Sequence, residues 1–348
     1  MKLNNSKVCC VSDIHIGVHQ NSTQWHDIAI NWARWLRDEL KSKDISDIII
    51  SGDVFHYRDE IAVNTIHFVS DVLELWKDFN IIMLVGNHDA YYKDRSDVNS
   101  LSILSGWDNI TVVDDQVTEI LYNKKVTFCP WGTKIDEIPN SDIIFGHFEI
   151  QSFKQNGFKV CTEGITTKDI LGKAPLTISG HFHLREERIY DEGTILYLGN
   201  PFQMDFGDVD GVKGYYILDI PSSKFQFFEN VHSPKHKKIK LSELVEVGDL
   251  TPDVCNDFKN NFVKFIIDRN ISPNDVDKLL SKLTSLNPLN INVDYTINFN
   301  KYQIDEDIRT DFTGIDIKTA ISEFVNLLEI ENKSEVEKCT IELFKKCT

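Results

Sequence analysis

The chain has too few basic residues to grip nucleic acid by charge alone. Its 37 lysines and arginines face 54 aspartates and glutamates, a formal net charge of −17. A protein that neutralised a phosphate backbone unaided would be basic. Any nucleic-acid reading therefore needs bound metal, a local basic patch or a partner as a further source of positive charge. No apolar run is long enough to span a bilayer, which argues against a membrane protein. The seven cysteines are scattered and include no Cys-x-x-Cys pair. That fits free thiols in a reducing cytoplasm rather than a disulfide frame. The first apolar run, Val8–Val11, is too short for a signal-peptide core and meets Asp13 at once. Internal repeats and low-complexity tracts are lacking too.

What is present is an ordinary globular composition, 41% hydrophobic and 26% charged over 348 residues. That length is large for one core, so two domains are the starting expectation. Lys7–Val11, Asp47–Ile50 and Ile81–Val85 read as short buried strands. Between them lie two amphipathic stretches. Trp25–Leu40 carries Ile28, Trp32, Trp35 and Leu36 at helical spacing, and 62–79 carries Ile66, Val69, Leu73 and Trp76 on one face. His67 falls near that second stripe and reads as a structural histidine. The resulting βαβαβ order is that of an α/β domain with a parallel sheet.

Further along, Thr118–Leu121 and Lys125–Cys129 suggest a hairpin around Asn123-Lys124. Strands are expected at Asp142–Phe145, Leu176–Ser179, Ile195–Leu198, Gly214–Asp219 and Lys224–Phe228. Lys235, Lys237, Lys238 and Lys240 form a short basic run that reads as a solvated linker at a domain boundary. A strand (Phe262–Ile267), a helix (Asn274–Leu286) and a strand (Leu289–Tyr295) suggest a small α+β cap. Two helices, Ile317–Leu328 and Ser334–Phe344, close the chain. The expected division is 1–232, 233–300 and 301–348.

The chemistry gathers at strand ends. Leu84-Val85-Gly86-Asn87-His88-Asp89 turns at a glycine and then offers an amide, an imidazole and a carboxylate. Such ends are where open α/β sheets place ligands. The same arrangement recurs in Asp13-Ile14-His15, Gly52-Asp53-Val54-Phe55-His56, Gly146-His147 and Gly180-His181-Phe182-His183. Asp13 and His15, two apart in extended backbone, would project to one side. Carboxylates and imidazoles without thiolates suit manganese, iron or zinc and disfavour a structural zinc site. Asp13, His15, Asp53, Asn87, His147, His181 and His183 exceed the needs of one tetrahedral ion. They fit two metals about 3.5–4 Å apart that share a carboxylate, with Asp53 the natural bridge. Phosphate esters exploit such a pair. His88, beside a ligand, is placed to protonate or stabilise a leaving oxygen. Asp89 either orients His88 or caps the turn. The polar loop from Tyr91 to Ser96 is either a substrate contact or a solvated surface.

These five motifs, in this order, resemble the calcineurin-like metallophosphoesterases. Tyr197-x-Gly199-Asn200-Pro201, Phe206-Gly207-Asp208 and Lys213-Gly214-Tyr215-Tyr216, together with His56, narrow the resemblance to SbcD-type DNA repair nucleases, and most closely to phage recombination nucleases of that class. Asn200 stands where many relatives have serine. The resemblance covers about the first two thirds of the chain, and beyond that only the layout matches. It implies a two-layer β-sandwich flanked by helices, followed by the cap and C-terminal helices. It implies one manganese on Asp13, His15, Asp53 and His183 and another on Asp53, Asn87, His147 and His181. His88 would be the catalytic acid, and His56 would support phosphate handling beside it. The cap would contact DNA, the C-terminal helices would dock on an SbcC-type ATPase, and the chain would form a homodimer in the cytoplasm, the host's if a phage encodes it.

The expected activity is a manganese-dependent DNA exonuclease and endonuclease that processes DNA ends in recombination, repair or replication. The alternatives are a metallophosphoesterase acting on small phosphoesters or phosphoproteins, and a non-catalytic scaffold regulating an ATPase. Against a protein phosphatase, Arg58 is followed by Asp59 rather than by the glycine usual in that group.

Overall fold

A computed structural model describes residues 1–155, 159–247, 252–269, 271–296, 321–322, 325–326 and 332–347. The chain divides into two compact units, Met1–Thr296 and Ile297–Thr348.

The first unit is built on two six-stranded mixed sheets. In the first, β1 (Lys7–Val11), β2 (Asp47–Ile50), β3 (Asn80–Leu84) and β4 (Ile110–Val113) run parallel. The second has β5 (Val117–Leu121) and β6 (Lys124–Cys129) as a hairpin. It continues through β7 (Ile143–His147), β8 (Leu176–Gly180), β9 (Glu186–Tyr190) and β10 (Gly193–Tyr197). After these the chain returns to the first sheet, adding β11 (Gly214–Asp219) and β12 (Lys224–Glu229) antiparallel beside β1. The expected sandwich flanked by helices is therefore present.

Both faces of the central strands are covered, which is why they read as unbroken apolar runs. Val8, Cys10, Ile49, Ile82 and Leu84 meet Val126, Phe128, Phe145 and Ile178 between the sheets. The alternate residues Cys9, Val11, Ile48, Ile50 and Met83 pack on Trp32, Leu36, Phe68, Val72 and Trp76 outside. The Thr23–Ser42 helix buries Trp25, Ile28, Ala29, Trp32, Ala33, Leu36 and Leu40, the stripe that helical spacing requires.

The second amphipathic helix, Val63–Leu75, is shorter than expected and rotated. It buries Thr65, Phe68, Val69, Val72 and Leu73, leaving Ile66 and His67 exposed. Thr65 takes the inner position because its hydroxyl donates to Asn21 Oδ1 at 2.7 Å. His67 is thus a surface residue, not a structural histidine. The hairpin turn falls one residue early, on Tyr122 and Asn123, both at positive φ (50° and 63°), as a tight two-residue hairpin demands.

The basic run is also not a linker. His236–Lys240 is β13, parallel to β14 (Phe262–Ile267), which pairs with β15 (Asn290–Tyr295). His236 and Ile239 are buried but three apart, hence on opposite faces of the strand, His236 against Trp25 and Phe262 and Ile239 with Val263 and Phe265, so no apolar–polar alternation marks the strand in the sequence. The Pro273–Thr284 helix covers this sheet, packing Val276 and Leu283 with Val263 and Phe265 of β14. In the second unit a helix spans Lys333–Cys347. The expected Ile317–Leu328 helix lies outside the described residues except at 321–322 and 325–326. Among the described residues no helix is long and apolar enough to cross a membrane.

Trp76 is buried against Trp32 and donates its indole N–H to the Ala33 carbonyl at 3.0 Å. Trp76→Ala is expected to cost about 3–5 kcal/mol in urea unfolding. His67→Ala is expected to change stability by less than about 0.5 kcal/mol.

Candidate metal centre

The parallel strands of both sheets end on one side of the sandwich. Asp13 follows β1, Asp53 follows β2, Asn87 follows β3, His147 closes β7 and His181 follows β8. The turn residues there adopt backbone that side chains rarely choose. Asp13, His15, Asp53 and His181 have φ of 55°, 50°, 54° and 90°. Asp13 and His15 are therefore left-handed, not extended, and reach the site by a curl of the loop. Backbone bonds hold that curl: Asp13 N–H donates to Gly52 O at 3.0 Å and His15 N–H to Asp53 O at 3.0 Å. Each such residue costs about 1–3 kcal/mol and persists only where its surroundings fix it.

Asp53 sits at the middle, almost fully buried. Its Oδ2 lies 3.6 Å from His15 Nε2, and its Oδ1 lies 3.4 Å from His147 Nε2. Oδ1 also accepts the His88 backbone N–H at 2.8 Å. The two carboxylate oxygens thus face two different groups. In one, donor atoms of Asp13, His15 and His183 lie within 4.8 Å of one another, and in the other those of Asp53, His147 and His181 do. His15 Nε2 and His183 Nε2 are 2.9 Å apart. Asn87 Oδ1 lies 2.9 Å from His147 Nε2 and 2.7 Å from His181 Nδ1. All seven sequence-derived candidates meet here. His15, His56 and His88 form a third group, with the His56 and His88 rings stacked at 5.3 Å.

Carbonyl acceptors set two tautomers. His147 Nδ1–H donates to Ser51 O at 2.7 Å, leaving Nε2 toward Asp53 and Asn87. His88 Nδ1–H donates to His56 O at 2.7 Å, leaving its Nε2 free of that bond.

The electrostatics follow from burial and proximity. Burial opposes charge on Asp53, but His147 and His15 outweigh it and hold the carboxyl well below the usual range. Burial lowers His147's proton affinity, yet Asp53 and Asp13 push it up to about 9. Burial raises Asp13, only partly countered by His147, and lowers His15 against the pull of Asp53. Burial and then His88 bring His56 down to about 4.

Asp89 turns out to hold the turn. Its carboxylate accepts the N–H groups of Gly86 and Phe55, each at 2.9 Å, tying the loop after β3 to the loop after β2. Burial and then Asp53 push it up to about 7.

Two residues at the site escaped sequence reasoning. Glu149 Oε1 lies 3.3 Å from His181 Nε2. The Trp131 ring lies 5.2 Å from that of His181 and 6.0 Å from that of His147. Its indole N–H donates to Lys93 O at 2.7 Å, pinning the Tyr91–Ser96 loop. Trp131 follows β6, so the strand-end rule could have found it. Glu149, two residues past the end of β7, carries the same signal.

The donor chemistry fits two divalent cations. Lone-pair nitrogens and oxygens converge from three sides, thiolates are absent from the set, and a proton or a cation must lie between His15 and His183. A two-sheet sandwich with histidines, carboxylates and an amide at its strand ends defines a metallophosphoesterase. The profile of the calcineurin-like phosphoesterases matches residues 6–213, and the chain belongs to that family. It is 26% identical over 291 residues to exonuclease subunit 1 of Enterobacteria phage T4, with 80% of each chain covered. The expected likeness to phage nuclease subunits is thus found. A solved archaeal phosphodiesterase matches 64% of this chain and 99% of its own, at 15% identity and a TM-score of 0.37.

If Asp53 joins the two groups, Mn2+ at a hundredfold excess over its dissociation constant should stabilise the wild-type fold by about 2.7 kcal/mol per site. Thermal melts should show this rise, and Asp53→Asn should abolish most of it. Gly86→Ala should do the same, because its Cβ would lie 2.2 Å from both the backbone nitrogen and Oδ1 of Asp53.

Proposed function

We propose that the protein is the nuclease subunit of a DNA-end-processing complex, an exonuclease and endonuclease that hydrolyses phosphodiesters with two manganese ions. The observation that carries this reading is the buried Asp53 carboxylate with one histidine-bearing group on each oxygen. Similarity to a phage exonuclease subunit along 80% of both chains supports a nucleic acid as the substrate. Asp13, His15, Asp53 and His183 would hold one ion, and Asp53, Asn87, His147 and His181 the other. The two ions would neutralise phosphate oxygens and acidify a water.

The chain's own residues orient and exchange the proton. His88 is tethered through Nδ1 to His56 O, so proton exchange with the leaving oxygen falls to Nε2. His56 stacks on His88 and restricts that ring. His147 keeps Nε2 turned inward because Ser51 O takes the Nδ1 proton. Trp131 packs beside His181, its ring 5.2 Å away, and limits that imidazole's movement on this side.

The net charge of −17 leaves little of the grip on DNA to the chain as a whole. A partner of the SbcC ATPase type, docked on the C-terminal helices, would supply it together with the ions, and the relative's designation as a subunit supports a partner. The cap at 233–300 would contact DNA, and a homodimer completes the arrangement.

Purified protein with Mn2+ should degrade linear DNA, and chelation should stop it. His88→Ala should lower cleavage by about 10²-fold or more while Mn2+ binding persists. Undiminished cleavage in that variant would remove His88 from the mechanism. Turnover of small phosphoesters with none on DNA, with and without the ATPase, would replace the nuclease reading.

A further inference from the structure

One stretch singled out in the sequence has no part in the chemistry above. Tyr197–Tyr216 carries neither a proposed ligand nor the proposed acid, yet it contains a buried lysine, 5% exposed. Burying an ammonium is costly unless each of its protons finds an acceptor. Lys213 Nζ finds three. It donates to Asp208 Oδ1 at 2.6 Å, to Asn200 Oδ1, and to the backbone carbonyl of His183 at 2.8 Å.

The acceptors are themselves fixed. Asp208 Oδ2 accepts the Met204 N–H at 2.9 Å and the Asn200 amide at 3.1 Å. The Asn200 backbone N–H also approaches His183 O, at 3.4 Å. Gly199, at φ +69°, leaves the space this carbonyl needs, since a Cβ there would lie 2.8 Å from His183 O. An ion pair that served only as an internal peg would not need the carbonyl of a site histidine as its third acceptor. Here the carbonyl is gripped from one side while the imidazole of the same residue reaches His15 at 2.9 Å on the other.

We infer that Lys213 is a positioning residue: clamped by Asp208 and Asn200, it fixes the backbone of His183 and thereby sets that imidazole against Asp13 and His15. The inference rests on the two-cation reading of the site. It assigns the Asn200–Asp208–Lys213 set to metal affinity rather than to DNA contact. The same stretch braces the other histidine loop, because Tyr197 donates its hydroxyl to Phe148 O at 2.8 Å and accepts the Ile150 N–H at 3.0 Å.

Two variants test it by calorimetric titration of the metal-free protein with Mn2+, alongside thermal melts. Lys213→Met alone strands the Asp208 charge and should lower the melting temperature. Lys213→Met with Asp208→Asn removes both charges and should recover most of that loss. In this folded double variant one of two Mn2+ sites should still weaken by about 10–100-fold, with the other near wild type. Gly199→Ala leaves the ion pair intact and crowds the same carbonyl, and it should weaken the same site. Wild-type affinity at both sites in either folded variant would overturn the role of Lys213. Wild-type protein that binds a single Mn2+, or none, would instead sink the two-cation reading itself.

Discussion

The structure turns on one buried carboxylate. Asp53 is taken out of water at the junction of the two sheets and is flanked by imidazoles on both oxygens. A buried anion of this kind is tolerable only when it is paired and hydrogen-bonded. Much of the surrounding design reads as a consequence. The left-handed turns at Asp13 and His15 bring their side chains in, and the His88 amide caps Oδ1. Gly52 and Gly86 are bare because a Cβ on either would collide with His147 or with Asp53. Asp89 locks the two loops on either side of the carboxylate.

Around this centre the protein spends its polar groups on fixing histidines. Ser51 O sets His147, Glu149 faces His181, His56 O sets His88, and Lys213 holds the carbonyl of His183. Losing a partner that orients a ligand's far atoms typically costs about 10–100-fold in metal affinity. The acidic surface fits the same view. With 37 basic against 54 acidic residues, the positive charge balancing the site's carboxylates would come from cations held at the strand ends rather than from the chain's own surface.

Much of this was legible in the sequence, for physical reasons. Buried strands in a doubly covered sheet must be apolar throughout, so β1, β2, β3, β7 and β8 announced themselves, and the polar residues past each end announced the site. What stayed hidden broke those patterns. β13 buries only His236 and Ile239, on opposite faces, among lysines, and β9 is an edge strand with no fully buried residue. The rotation of the Val63–Leu75 helix depends on one threonine finding Asn21, a contact between distant segments. The backbone at Asp13 and His15 could not be read either, because left-handed turns at non-glycine residues are imposed by the loops they meet. Lys213 gains its meaning only from what it touches.

The most direct test of the central claim is anomalous diffraction from crystals equilibrated with Mn2+. Two peaks about 3.5–4 Å apart, one beside each oxygen of Asp53, are the predicted result. A single peak, or peaks remote from Asp53, would contradict the account.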